Sequence, residues 1–273
     1  MWGLHVKRRW RKWKTSRALI PKPLPERRRA LSVNRPDSGM GDLGKLPYEI
    51  RHMIYVYVLG HQIIHIDNSE YLPNRLGHTR CFQISQFHHH RHDEFDKSGN
   101  GKMALLKTCH AIYIEAVGLL YATNTFALYG QTRQIEAFLY FCASIRPWRL
   151  ASITDLQLSY VEILDGDLQF SSCWNRLWDE IATGMTGLEH LTLRLSLASR
   201  LPLSLDEVWV KPMLQVRGVK MLDFRLHGIR GQWTKDYESE MRSFQKRLGE
   251  QMCAERGTPR PRETENPTGR RIR

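Results

Sequence analysis

Apolar residues recur along this chain with two periods, and the alternation between them predicts its elements. Between positions 46 and 60, Ile50, Ile54 and Tyr57, with Met53 and Val58, follow the three-and-four spacing of one buried helix face. Pro47 suits the first turn of that helix, where its missing N–H costs nothing, and Gly60 supplies the stop. Residues 62–67 and 80–85 read as short strands paired in a hairpin. The polar stretch 87–101 predicts a loop. A single helix is predicted over 103–121, where Leu105, Leu106, Cys109, Ile112, Tyr113, Ala116, Leu119 and Leu120 form one broad stripe. Burying its large members at about 1.5–3 kcal/mol each makes it a main anchor of the core.

Beyond position 124 the chain becomes rhythmic. Strands are predicted at 124–128, 153–158, 188–195 and 219–226, and helices at 134–145, 174–185, 206–215 and 237–253. Each strand carries an apolar-x-apolar pair, beginning at Phe126, Leu156, Leu191 and Leu222, so the pairs recur every 30, 35 and 31 residues. A strand-then-helix unit of that length implies parallel strands joined by right-handed crossovers. No unit buries its own apolar face, so the units stack. The expected fold class is α/β with an α+β start: N-terminal helices and a hairpin, then βα repeats with a mostly parallel sheet. The body then resembles a degenerate leucine-rich-repeat half-horseshoe. An open α/β sheet without repeat ancestry is the alternative. Trp174 and Trp178 share a helix face and are expected in the core. Trp148, Trp209 and Trp233 sit near element boundaries, where exposed aromatics serve as anchors.

Charge redraws the domain boundaries. The formal net charge is +13. Residues 1–37 hold twelve Lys and Arg against Glu26 and Asp37, a net of +10, and residues 254–273 hold six Arg against three Glu, a net of +3. The body between them is neutral, so the excess belongs to the tails. Both tails are rich in Pro and poor in large apolar groups, and cannot offset their ordering entropy. The expected organisation is a basic disordered tail at 1–41, helices with the inserted hairpin and His loop at 42–123, the repeat region at 124–253, and a basic tail at 254–273. No apolar run approaches the ~20 residues of a membrane span. Five Cys without a CxxC pair, and no apolar segment after the basic start, point to a reduced intracellular protein, nuclear or cytoplasmic.

Two segments carry a family resemblance. Residues 46–55 read LPYEIRHMIY, and residues 105–126 read LLKTCHAIYIEAVGLLYATNTF. The first resembles the LPxEIRxxIY opening, with its F-box-like start, of a filamentous-fungal family of unknown function. The second resembles that family's LLxTCRxIYxEAxxLLYxxNTF signature. The resemblance covers about 42–230 and implies a helical element that docks on a ubiquitin-ligase adaptor, with a repeat domain behind it to capture a substrate. Leu46, Pro47, Ile50 and Ile54 are then the partner-binding residues. The plain reading of the same four is a cap packed under the sheet.

The N-terminus has a pattern of its own. Trp2, Val6, Trp10 and Trp13 would line one helix face, with Lys7, Arg8, Arg9, Arg11, Lys12 and Lys14 around them. Four readings remain open: an import signal or loose nucleic-acid contact through phosphates, a mitochondrial presequence, an anionic membrane surface, or an inert tail. His88, His89, His90 and His92, with Cys81 and the Cys109-His110 pair, offer donors to a metal, but the spacing matches no structural zinc pattern and a solvated loop is expected. The P-loop, dinucleotide, zincin and nucleophile-elbow templates are absent. No catalytic residue, cofactor or metal is therefore expected. The expectation is a non-enzymatic module that binds a protein partner through apolar side chains along its sheet. The alternative is a nuclear or nucleic-acid-associated protein acting through its basic N-terminal tail.

Overall fold

The structure, a computed structural model, describes residues 40–68, 76–81, 99–129, 133–163, 168–197, 202–228 and 234–255. The basic residues Lys7 to Lys14, the tryptophan stripe beside them, the C-terminal tail beyond 255, the His88–His92 loop and Trp233 lie outside the described residues.

After a 3-10 turn at Gly41–Lys45, helix α1 runs over Tyr48–Leu59. Strands β1 (Ile63–Asn68) and β2 (Leu76–Cys81) pair antiparallel. Helices α2 (Gly99–Thr108) and α3 (His110–Ala122) follow, then β3 (Thr125–Tyr129), α4 (Arg133–Ser144), the short α5 (Pro147–Ala151), β4 (Asp155–Ile163), α6 (Leu168–Gly184), β5 (His190–Leu197), β6 (Met221–Gly228) and α7 (Lys235–Cys253).

The fold is α/β. One six-stranded sheet has the order β2-β1-β3-β4-β5-β6, and every neighbouring pair except β1–β2 is parallel. Each parallel strand lies beside the next one in the chain, so crossovers of a single hand put the helices on one face. The register carries the expected pairs side by side. Ile64, Phe126, Leu156, Leu191 and Leu222 form one row across five strands. Leu128, Leu158, Leu193 and Phe224 form the next. Both rows join the main core with Phe138, Trp174, Leu177, Trp178, Phe244 and Leu248 from the helices. Trp174 and Trp178 meet edge to face, as expected for core residues, and the Trp174 indole donates to the Trp209 carbonyl at 2.6 Å. Trp209 is itself half-buried against Phe244, while Trp148 is exposed.

Four local expectations are corrected. The helix over 103–121 is two helices, broken at Cys109, whose backbone is extended; the Thr108 hydroxyl donates to the Leu105 carbonyl at 2.7 Å and helps close the first of them. The second hairpin strand sits at Leu76–Cys81 rather than 80–85, and residues 82–85 lie outside the described residues. No helix forms over 206–215. Pro212 disfavours helical backbone at Lys211, so the segment folds as turns ending in a 3-10 turn at Met213–Gln215. The fourth correction concerns which face of α1 is buried.

Candidate functional site

The sequence places Ile50, Met53, Ile54 and Tyr57 on the buried side of α1. In the structure that stripe points outward. Tyr57 is 88 % exposed, Met53 58 % and Ile50 39 %, while Tyr55 and Leu59 are fully buried. Pro47 is exposed, and Leu46 and Ile54 are half-buried. Of the four expected partner-binding residues, Ile50 and Ile54 therefore lie on α1 and Leu46 and Pro47 in the segment that leads into it, with Pro47 and Ile50 the exposed pair. Helix α1 packs on α3 and more lightly on α2, so the two signature segments touch despite their separation in sequence.

The inner side of α1 is held by polar chemistry. The Arg51 guanidinium grips the Glu115 carboxylate on α3 with two prongs, Nε to Oε2 at 2.9 Å and Nη2 to Oε1 at 2.7 Å. Its Nη1 donates to the Leu46 carbonyl at 2.6 Å, which ties the segment before the helix to the helix itself. The Tyr55 hydroxyl donates to Glu115 Oε2 at 3.0 Å. Hydrogen bonding from Arg51 holds the Glu115 carboxyl below its ordinary value. Burial, and then the bond to Glu115, push the Tyr55 phenol up to about 12.

A second clamp sits below. Asn124 is buried between α1, β1 and α3. Its amide donates to the carbonyls of Leu59 and Leu120, both at 2.8 Å, and its carbonyl accepts from the Gln62 N–H at 2.8 Å. Gly60 ends α1 here because space allows nothing larger. A Cβ at that position would meet Thr123 Oγ1 at 2.6 Å and the Val56 carbonyl at 2.7 Å.

The chain matches a family described as Domain of unknown function (DUF7730) over residues 36–227. The protein belongs to that family. The DUF7730 match opens just before the 3-10 turn and closes inside β6, so α1 and all but the last residue of the sheet lie within it, while α7 lies beyond. Curated proteins and solved structures show no match to the chain.

The other surface of this DUF7730 chain is the sheet face turned away from the helices. Its positions alternate with the core rows: Thr125 and Ala127 on β3, Asp155, Gln157 and Ser159 on β4, His190, Thr192, Arg194 and Ser196 on β5, Asp223, Arg225 and His227 on β6. This corrects the expectation of an apolar contact surface along the sheet. The apolar-x-apolar pairs are consumed by the helices, and the outward face is mostly polar, with Met221 at the start of β6 its exposed apolar member. Ala127 and Ser159 are fully buried, and exposure grows toward β6.

Among the described residues, no cluster of three or more His, Cys, Asp or Glu is placed to hold a metal ion. None of their helices is long and apolar enough to cross a membrane. Cys109 is half-buried, Cys142 is buried, and neither forms a disulfide.

Proposed function

We propose that the protein is a non-enzymatic protein-interaction module whose α1 docks the adaptor subunit of a ubiquitin ligase, while the α/β body captures a substrate. The observation that carries this reading is the orientation of α1. A solitary exposed apolar side chain needs no explanation, but Ile50, Met53 and Tyr57 recur at helical spacing on one exposed flank. Nor is their exposure an accident of a loose helix, because Arg51, Tyr55 and Glu115 fix its rotation. A helix presented this way offers anchors at i, i+3 and i+7 to an apolar groove. The resemblance of the segment holding Leu46, Pro47, Ile50 and Ile54 to an F-box-like opening supports the adaptor as the partner.

The test is retention of the full chain by the purified adaptor. Wild-type chain is expected to be retained, and Ile50→Asp with Met53→Asp is expected to abolish retention while leaving the fold intact. Retention that survives the double change overturns the adaptor reading.

A second reading is supported by the tail charge. Twelve basic residues against two acidic ones in 1–37 would bind nucleic acid through phosphates, with affinity falling steeply as salt rises. Removing 1–37 is expected to abolish such binding, and unchanged binding would end that reading.

A further inference from the structure

The polar sheet face concentrates positive charge at its β5–β6 edge. Arg194 and Arg225 are direct lateral partners in the register, on the same face of neighbouring strands. Paired strands run ~4.8 Å apart, and like charges placed opposite one another there repel. Asp223 offsets part of this. It accepts from Arg225 Nε at 3.0 Å and lies 4.0 Å from Arg194 Nη2. Among the described side chains, one carboxylate between two guanidiniums leaves a net positive charge, and the contact to Arg194 is the longer of the two. Only about a tenth of the Arg194 side chain is exposed (11 %), and its Nε is buried without a hydrogen-bond partner. A buried donor of this kind is costly to leave unmade. His227, two residues beyond Arg225, completes the edge. Partial burial, then the charges of Arg194 and Arg225, push its imidazole below the ordinary value.

We propose that Arg194 and Arg225, with His227 beside them, form a binding site for a phosphoryl group carried on a protein partner. Two planar forks on adjacent strands match the oxygens of a tetrahedral dianion, which a single carboxylate would satisfy less completely. Once the dianion is seated, it cancels the repulsion between the two arginines. The rest of the face favours one such group over a long polyanion. Thr125, Gln157, Ser159, Thr192 and Ser196 are neutral, and Asp155 and Asp223 are acidic, so these positions supply neither the basic track nor the stacking surfaces of nucleic-acid binders. This site rests on the interaction-module reading but not on docking by α1, so either can fail without the other.

The test follows the His227 imidazole by NMR in the full chain as inorganic phosphate is added at constant ionic strength. Phosphate is expected to shift the resonance and raise its titration midpoint. Arg194→Gln with Arg225→Gln is expected to weaken the response at least about tenfold. Arg8→Gln with Arg9→Gln in the tail is expected to leave it unchanged. Should the double variant fail to fold, the half-exposed Arg225→Lys keeps the charge, loses the fork, and is expected to weaken binding several-fold. Free phosphoserine is expected to bind at least as tightly as phosphate, and acetate more weakly. A His227 signal that ignores phosphate, or responds equally in the arginine variants, overturns the site. Rejection of phosphoserine overturns the protein-borne source. An equal response to acetate, or a response to a single-stranded oligonucleotide but not to phosphate, overturns the phosphoryl assignment.

Discussion

Arg51 and Glu115 stand 64 residues apart in the chain and meet in a two-pronged ion pair at 2.7 and 2.9 Å. Each belongs to one of the two signature segments, Arg51 to LPYEIRHMIY and Glu115 to the segment that ends in NTF. The pair therefore gives those segments a shared structural purpose. It joins α1 to α3, fixes the rotation of α1, and so decides that Ile50, Met53 and Tyr57 face outward.

Removing the carboxylate strands two donors, the Arg51 guanidinium and the Tyr55 hydroxyl, in a partly buried place. Glu115→Ala is therefore expected to lower the thermal midpoint by several degrees, and Arg51→Ala by a similar amount. The double variant is expected to cost less than the sum, because the second change removes a group already unpaired. Thermal unfolding of the two singles and the double measures this coupling. Strict additivity would show that the contact carries no energy.

The clamp also has a pH signature at both ends of the scale. Because the Glu115 carboxyl is held below its ordinary value of 4.5, its contribution is complete above that pH and is lost as pH falls through the lower folded-state value. Tyr55 has the opposite sign. Its phenol is raised from 10.0 to about 12, so its contribution is complete below pH 10 and is lost as pH rises toward 12. Urea unfolding of wild type and Tyr55→Phe across pH 8–12 is expected to show a gap that narrows above pH 10. A constant gap would place the phenol outside the clamp.

Asn124 carries the junction below. Asn124→Ala would leave the Gln62 N–H and the Leu59 and Leu120 carbonyls without their side-chain partner in a buried setting. A loss of about 2–4 kcal/mol in urea unfolding is expected. Asn124→Asp keeps the acceptor but turns a carboxylate oxygen toward the Leu59 and Leu120 carbonyls in a buried place, and is expected to cost at least as much as the alanine.

Gly187 sits where the turn before β5 passes the end of α5. A Cβ there would lie 2.3 Å from the Ala151 carbonyl oxygen, a backbone atom with little freedom to retreat. Gly187→Ala is expected to destabilise by about 1–3 kcal/mol. Gly118→Ala, with open space around it in mid-helix, is expected to be neutral or mildly stabilising. Chemical unfolding of the two variants side by side checks the contrast.

Much of the sheet was legible because its signal is local and repeated. The pairs beginning at Phe126, Leu156, Leu191 and Leu222 are strict alternations, and the register sets them side by side. The same alternation carried a second message, that the other face of the strands is mostly polar and becomes exposed toward β6, which an expectation of apolar contacts along the sheet overlooked. Helix α1 was located correctly and turned the wrong way. Its outward stripe is as apolar as a core face, and what turns Arg51 and Tyr55 inward is a carboxylate 64 residues away that no local window contains. The break at Cys109 had no marker in the apolar spacing. Pro212 did mark the turns of 206–215, but the surrounding Val208, Val210, Met213 and Leu214 mimic helical spacing. The Arg194–Arg225 pairing is not signalled by either segment alone, and follows only once Leu191 and Leu222 stand side by side, each arginine three residues further on.

The orientation of α1 is the claim on which the rest stands, and thermal unfolding of three variants tests it most directly. Met53→Asp with Tyr57→Asp places two charges on the outward flank and is expected to shift the midpoint by no more than a degree or two. Tyr55→Asp, two positions from each, buries a charge against Leu59 and the Glu115 carboxylate and is expected to unfold the chain or lower its midpoint by at least about 10 °C. The reverse order, with the outward pair collapsing the fold and Tyr55→Asp tolerated, would contradict the account.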